Sequence, residues 1–246
     1  MSNLEFFNNR HSVRDFGNEG IGDTPLANMI QAATHAPNTG NMQWYSVIVT
    51  RDESLKKALA PSHFNQPCVT SSDIVLTFCI DLLRFEKWCR ISGATPGFGN
   101  FQSFIAAFID TCLFAQQFST IAEMRGLGTC FLGTTTYNAP DIARILKLPE
   151  RVVPVTTLVV GHPKDKDQGP TWRLPYYAVM HDERYHEPSD DDVRRWYAPL
   201  EAESQHFVDE NGKQSLAQVF TDIRYPRESA EYFSKVYLDI IRQNGF

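Results

Sequence analysis

The chain has 246 residues, a formal net charge of −6, and 42% hydrophobic and 21% charged residues. This composition is that of an ordinary globular protein, with enough apolar side chains for one large core or two small ones. The negative charge argues against nonspecific binding of nucleic acid, so any phosphate site must be local. Neither a signal peptide nor a membrane partner is expected, and five cysteines without CxxC spacing favour the cytoplasm.

A basic stretch follows a short helix that is predicted over residues 3–9. It reads Arg10-His11-Ser12-Val13-Arg14. If it is extended, residues 10, 12 and 14 project to one side, because strand side chains alternate between faces. Two guanidinium groups and a hydroxyl would then converge, with His11 nearby, in a pattern suited to phosphate oxygens. Two interpretations remain open from these residues alone: a clamp for one phosphate group, or a solvated basic patch.

The next part of the chain alternates between helical and strand patterns. Asp23-Thr24-Pro25 predicts a helix start with Asp23 as its capping residue. A turn is predicted over residues 37–41, and β-branched residues predict a strand over 44–50. The remaining predictions for this part are a helix over 52–60, a loop around 65–67, a strand covered on both faces over 73–80, a helix over 82–91 and a loop over 92–99.

The longest helix is predicted over Ser103 to Arg125, which is apolar nearly all round. Such a helix lies either at the centre of the domain or in a subunit interface. Further on, the patterns predict a strand over 129–132, a helix that begins at Asn138, a strand over 152–160, a helix capped by Ser189 and a helix over 227–243 that Gly245 ends. Helices that alternate with strands in this order predict an α/β or α+β sandwich with a central sheet, followed by a C-terminal extension.

Motifs for most catalytic chemistries are absent from the sequence. It has no GxSxG, HExxH, EF-hand or Walker sequence. His181 and His186 have no carboxylate or cysteine at ligand spacing, so no metal site is predicted. The residues by themselves indicate a protein that binds a phosphate group, and they go no further.

Four segments together resemble the flavin-dependent nitroreductase family. They are Arg10 to Arg14, Ala36-Pro37-Asn38-Thr39-Gly40-Asn41-Met42-Gln43-Trp44, Gly126-Leu127-Gly128-Thr129-Cys130-Phe131-Leu132-Gly133, and Leu148-Pro149-Glu150 through Pro163. They occur in the order and at the separations that are typical of the family. Thr171-Trp172-Arg173-Leu174-Pro175 is similar to a KPRLP segment of the larger oxygen-insensitive nitroreductases and flavin reductases, with threonine in place of lysine.

The resemblance implies an FMN site and its residues. The phosphate would be held by Arg10, Ser12, Arg14 and Arg173, with His11 nearby. The ribityl chain and the ring edge would be contacted by Asn38, Thr39, Asn41 and Gln66. Backbone groups of Phe131, Leu132 and Gly133 would lie beside the ring, and no side chain is assigned as a catalytic acid or base. The implied fold is α+β and nitroreductase-like, with a central mixed sheet flanked by helices and a C-terminal helical extension. Its domains are an FMN-binding core over residues 1–163 and an extension over 164–246 that packs on the core or on a dimer partner.

The same resemblance implies the reaction. Hydride would pass from NADH or NADPH through FMN to a small-molecule acceptor, such as a nitroaromatic, a quinone or a flavin, in ping-pong order. The family's fold is a homodimer with FMN at the subunit interface, and residues 103–125 are the natural interface helix. The acidic segment Asp209-Glu210-Asn211-Gly212-Lys213 does not favour the extra phosphate of NADPH. Two alternatives remain: a flavin store or sensor without turnover, and another flavin reaction such as reductive dehalogenation.

Overall fold

The computed structural model describes residues 3–165 and 169–246, and these divide into two compact units. The larger unit consists of residues 12–165 and 233–246. The smaller unit consists of residues 3–11 and 169–232. The sequence predicted a boundary at residue 163 between an FMN-binding core and a C-terminal extension. That division is defined by cofactor binding and by packing on a partner, and it stays a prediction.

The secondary structure of the larger unit follows the predicted order. Its strands are β1 (Tyr45–Thr50), β2 (Ile74–Asp81), β3 (Gly128–Leu132) and β4 (Val152–Gly161). Its helices are α2 (Asp23–Ala33), α3 (Glu53–Leu59), α4 (Pro67–Ser71), α5 (Leu83–Ile91), α6 (Phe101–Met124) and α7 (Ala139–Ile145), with most of α11 (Arg227–Gln243). The ends predicted for the strands and for α3, α5 and α6 agree with these bounds to within two residues.

The sheet has four strands in the order β1-β2-β4-β3. A mixed sheet was expected, but within the described residues every pair of neighbouring strands is antiparallel. The helices lie in the connections between these antiparallel strands. β2 is central and buried along its length except at Asp81, as its uniformly apolar sequence predicted.

Helix α6 crosses one face of this sheet and forms the centre of the core. Phe114 stacks on Tyr45 of β1 with ring centroids 4.4 Å apart, and Ser119 Oγ lies 2.9 Å from Thr129 Oγ1 of β3. Within residues 3–165 and 169–246, α6 alone has the length and apolar composition to cross a membrane. Of the two predicted positions, its packing against the sheet bears out the centre of the domain, and its role in a subunit interface stays a prediction. Its outer side exposes further apolar residues, namely Phe101, Ile109, Leu113 and Met124.

One local prediction in this unit is wrong, and one short helix was not predicted. Asp23 is the first residue of α2 rather than its cap, because Gly22 occupies the N-cap and the Asp23 carboxylate lies 3.4 Å from the Arg51 guanidinium. The loop predicted around residues 65–67 is present over 64–66, and the helix that was not predicted, α4, follows it with proline at its first turn. In contrast, Asp52 caps α3 by accepting a hydrogen bond from the Leu55 N–H at 2.8 Å.

The smaller unit is helical in its regular parts. It contains α1 (Asn3–Asn8), α8 (Asp190–Glu203), α9 (Gln205–Glu210) and α10 (Leu216–Val219), which continues into a π turn over Phe220–Arg224. Ser189 caps α8 as predicted, in a reciprocal capping box with Asp192. Val208, Leu216 and Val219 form a small buried cluster that joins α9 to α10.

Candidate functional site

The segment Ser12–Phe16 of the basic stretch lies against the start of β3 and the end of β4. The Val13 N–H donates to the Thr129 carbonyl at 2.9 Å, and Phe16 forms an isolated β-bridge with Pro163. No regular strand forms here, but the alternation that the prediction required is present in this segment: Val13 is buried, Ser12 is half-buried and Arg14 is exposed. Arg14 therefore presents its guanidinium to solvent while the residue before it anchors the chain.

Two glycines make this anchoring possible. Gly128 and Gly161 are partners in the register of β3 and β4. A Cβ atom on Gly128 would lie 2.7 Å from the Val13 side chain, and one on Gly161 would lie 2.9 Å from the Phe16 ring. Real Cβ atoms do not approach so closely, so any larger residue would push the basic stretch away from the sheet.

Arg14 lies close enough to α4 for its charge to affect the pKa of a thiol there. Burial raises the pKa of Cys68, and the Arg14 charge opposes that increase. Gln66 occupies the N-cap position of α4, two residues before this cysteine. Asp15, the acidic neighbour of Arg14, is ion-paired with Lys164 at 3.3 Å. The positive charge of Arg14 is thus brought towards the segment that carries Gln66.

The far end of β3 carries the next predicted residues. Leu132 is buried in the core, Phe131 is half-buried, and Gly133 is exposed at the start of a 3₁₀ turn over Gly133–Thr135. A Cβ atom on Gly133 would meet nothing within 4 Å, so the space above it is open. From Thr129 to Gly133 the chain advances roughly 13 Å along an extended strand.

A buried histidine, which the sequence did not single out, links Gln66 to this turn. His63 Nδ1 lies 2.8 Å from the Thr134 hydroxyl oxygen, and the His63 carbonyl accepts from Gln66 Nε2 at 3.2 Å. The Asn138 side-chain amide also donates to the Ser62 carbonyl at 2.8 Å. The structure therefore brings Ser12, Arg14, Gln66 and Phe131–Gly133 together along one edge of the sheet.

The second group of predicted residues lies at the opposite edge. Asn38, Thr39 and Asn41 precede β1, and β2 and β4 separate β1 from β3, a distance of about 14 Å at ordinary strand spacing. Asp110 of α6, which is 1% exposed, accepts hydrogen bonds from the backbone N–H and the hydroxyl of Thr39, each at 3.0 Å. Nine residues of helix, roughly 13 Å, separate Asp110 from Ser119, which contacts β3. Within one chain, two strands therefore lie between this group and the first.

Three of the predicted residues belong to the smaller unit. The Arg10 N–H donates to the Phe7 carbonyl at 3.2 Å, and His11 Nδ1 lies 3.1 Å from the Asn9 carbonyl oxygen. Arg173 is exposed, and its Nη1 donates to the Trp172 carbonyl at 2.8 Å. The prediction that these side chains share one phosphate with Ser12 and Arg14 stays a prediction.

Comparison with known proteins identifies the class to which this fold and site belong. The model of the Nitroreductase family matches residues 8–162, and the chain belongs to that family. The match covers the basic stretch, both groups of predicted residues in the larger unit and the whole sheet.

Individual relatives extend the likeness beyond the matched range. The FMN reductase (NADPH) of Bacillus subtilis strain 168 is 30% identical over 190 residues, which are 76% of each chain. A solved structure from Bacteroides fragilis NCTC 9343, described only as an oxidoreductase, has 43% identity and a TM-score of 0.95 over 98% of each chain. The NfrA1 nitroreductase of B. subtilis has 25% identity and a TM-score of 0.86, covering 99% of this chain and 98% of its own.

Proposed function

We propose that this protein is an FMN-dependent NAD(P)H oxidoreductase. Membership of the Nitroreductase family and the relative named FMN reductase (NADPH) support this function. The observation that carries the proposal is the arrangement along β3, with the exposed Arg14 cation near one end and the open space over Gly133 at the other. A phosphate on a polyol chain that ends in a flat ring suits such a site, since the anion meets a cation and one face of the ring can lie over Gly133, where no other group comes within 4 Å of a Cβ position.

The residues of the candidate site fit the cofactor, and each has a distinct role. Arg14 and Ser12 would hold the phosphate, joined by Arg10, His11 and Arg173 of the smaller unit. Each charge-assisted hydrogen bond contributes about 1.5–3 kcal/mol before the costs of binding. Gln66 would contact the ring edge, and the backbone of Phe131–Gly133 would lie beside the ring. When bound, FMN supplies the hydride chemistry, while this chain binds, orients and shields it.

A homodimer completes the site in this proposal. Asn38, Thr39 and Asn41 lie too far from β3 in one chain, so a second copy would supply them. The exposed apolar side of α6, which includes Ile109 at 52% exposure, supports an interface there. Sedimentation should give twice the 28.0 kDa chain mass. A monomeric FMN-loaded protein would contradict this part of the proposal.

Complementation tests the shared site more sharply. We expect Arg14→Ala and Asn41→Ala each to lower FMN affinity as homodimers. If one subunit supplies the clamp and the other supplies Asn41, mixed subunits should regain about a quarter of the wild-type sites. If Asn41 acts in its own subunit, the mixture should regain none beyond the sum of the two variants.

The acceptor and the choice of nicotinamide are further parts of the proposal. We expect nitroaromatics, quinones or free flavin as acceptors, with parallel double-reciprocal plots that indicate ping-pong order. The basic member of the segment over 209–213, Lys213, is ion-paired with Asp222 at 2.9 Å. We therefore do not expect this lysine to make the protein prefer NADPH over NADH, and KM values for both nicotinamides will test that.

The five free thiols support a location in the cytoplasm, where cysteines stay reduced.

The purified protein distinguishes the proposal from its alternatives. It should be yellow, or become so with FMN, and lose that colour when NADH or NADPH is added without oxygen. A bound flavin that neither nicotinamide bleaches would indicate a store or sensor. Bleaching followed by reoxidation only with a halogenated substrate would indicate reductive dehalogenation.

A further inference from the structure

His63 is buried at the junction of two segments of the candidate site. His63 is 0% exposed, and Nδ1 of its imidazole lies 2.8 Å from the Thr134 hydroxyl oxygen. Its own carbonyl accepts the side chain of Gln66. The two residues after it, Phe64 and Asn65, both have positive φ values, 53° and 54°, so the turn is tight and strained.

The second ring nitrogen of His63 indicates which tautomer is present. Nε2 is buried and has no hydrogen-bond partner in the described residues. Leaving a buried N–H unpaired is costly, and orphaned donors are rarer than under-satisfied acceptors. The proton therefore belongs on Nδ1, which donates it to the Thr134 oxygen. Burial lowers the pKa of His63 to about 4, which keeps the ring neutral at physiological pH.

This tautomer has a consequence for Thr134. Because its oxygen accepts from His63, its own proton is left to donate elsewhere. Thr134 is half-buried, and it directly follows Gly133. The space next to the Gly133 α-carbon is open. The free donor therefore lies beside the space that the proposed function assigns to the ring.

We propose that His63 is a positioning residue that holds the Thr134 hydroxyl as a hydrogen-bond donor to the flavin ring edge. This inference rests on the proposed function, because it needs FMN to bind beside Gly133. Thr134 would touch the cofactor, and His63 would act through Thr134.

The test measures FMN affinity by quenching of flavin fluorescence, together with the long-wavelength absorption band of bound FMN. Thr134→Val should weaken FMN binding roughly 2- to 12-fold, the effect of one lost neutral hydrogen bond, and should shift the band. Thr134→Ser should restore both values. Thr136→Val, a half-buried threonine in the adjacent turn, is the matched control and should leave both unchanged.

A double-mutant cycle tests the role of His63. His63→Leu should weaken FMN binding as Thr134→Val does, and should have no further effect in the Thr134→Val background. His63→Asn places an amide near the Nδ1 position and should retain most of the affinity, which keeps the test informative if the leucine variant does not fold. Additive losses from the two single variants would mean that His63 acts structurally, and would overturn the proposal.

The wild-type protein separates the two possible failures. If it binds no FMN, the proposed function fails. If it binds FMN and Thr134→Val has the wild-type affinity and spectrum, the inference about Thr134 is wrong and the proposed function stands.

Discussion

The protonation of His63 gives a prediction for stability against pH. In the unfolded chain its pKa should be near the ordinary 6.5, whereas burial lowers the native value to about 4. The unfolded state therefore binds more protons between these values, so the stability due to the neutral ring is complete above pH 6.5 and is lost as the pH falls towards 4. At 1.36 kcal/mol for each pH unit, the loss approaches about 3 kcal/mol.

Urea unfolding of wild type and His63→Asn isolates this contribution from that of the other titrating groups. Both proteins would be compared from pH 7.5 to pH 5 at one protein concentration and one saturating FMN concentration, because ligand and subunit binding change apparent stability. The free energy of unfolding should fall more steeply for wild type, by up to about 1.4 kcal/mol for each pH unit below 6.5. Equal slopes for the two proteins would refute the reasoning, since they would mean that His63 titrates alike in both states.

Three further substitutions test the rest of the site. Arg14→Ala should weaken FMN binding roughly 10- to 150-fold with an unchanged circular dichroism spectrum, and Arg14→Lys should weaken it less. An unchanged FMN affinity in Arg14→Ala would contradict the proposed phosphate clamp. Gly128→Ala should lower both the unfolding temperature and FMN affinity, because the added methyl group meets Val13 at 2.7 Å, whereas Gly97→Ala has open space and should change neither. Asp110→Ala should lower the free energy of unfolding in urea by about 1–3 kcal/mol, because the backbone N–H and the hydroxyl of Thr39 lose the carboxylate to which they donate.

The sequence predicted the elements whose signal is local and strong. β2 is apolar along its length and α6 is long, so periodicity and composition located both to within two residues. Ser189 before three aspartates predicted the start of α8, where the structure shows a capping box with Asp192. The short helices α4, α9 and α10 were missed, because one or two turns carry too little periodicity to be recognised.

The residues of the candidate site stay a prediction, and their arrangement in the fold could not be predicted from the sequence. The resemblance identified Arg14, Asn38 and Gly133, yet their distribution over two edges depends on strand order, which no single segment encodes. His63 went unnoticed because a lone histidine in a short turn has no pattern around it. Asp110 could have been found, since an acidic residue in so apolar a helix requires a hydrogen-bonding partner.

Anaerobic reduction of the purified protein tests the central claim most directly. The FMN-loaded protein would be titrated with NADH and with NADPH while the visible absorbance of the flavin is recorded. We predict that at least one nicotinamide bleaches the flavin stoichiometrically and that a quinone or nitroaromatic restores the colour. A protein that takes up no FMN, or one whose bound FMN stays oxidised with both nicotinamides, would contradict the proposed function.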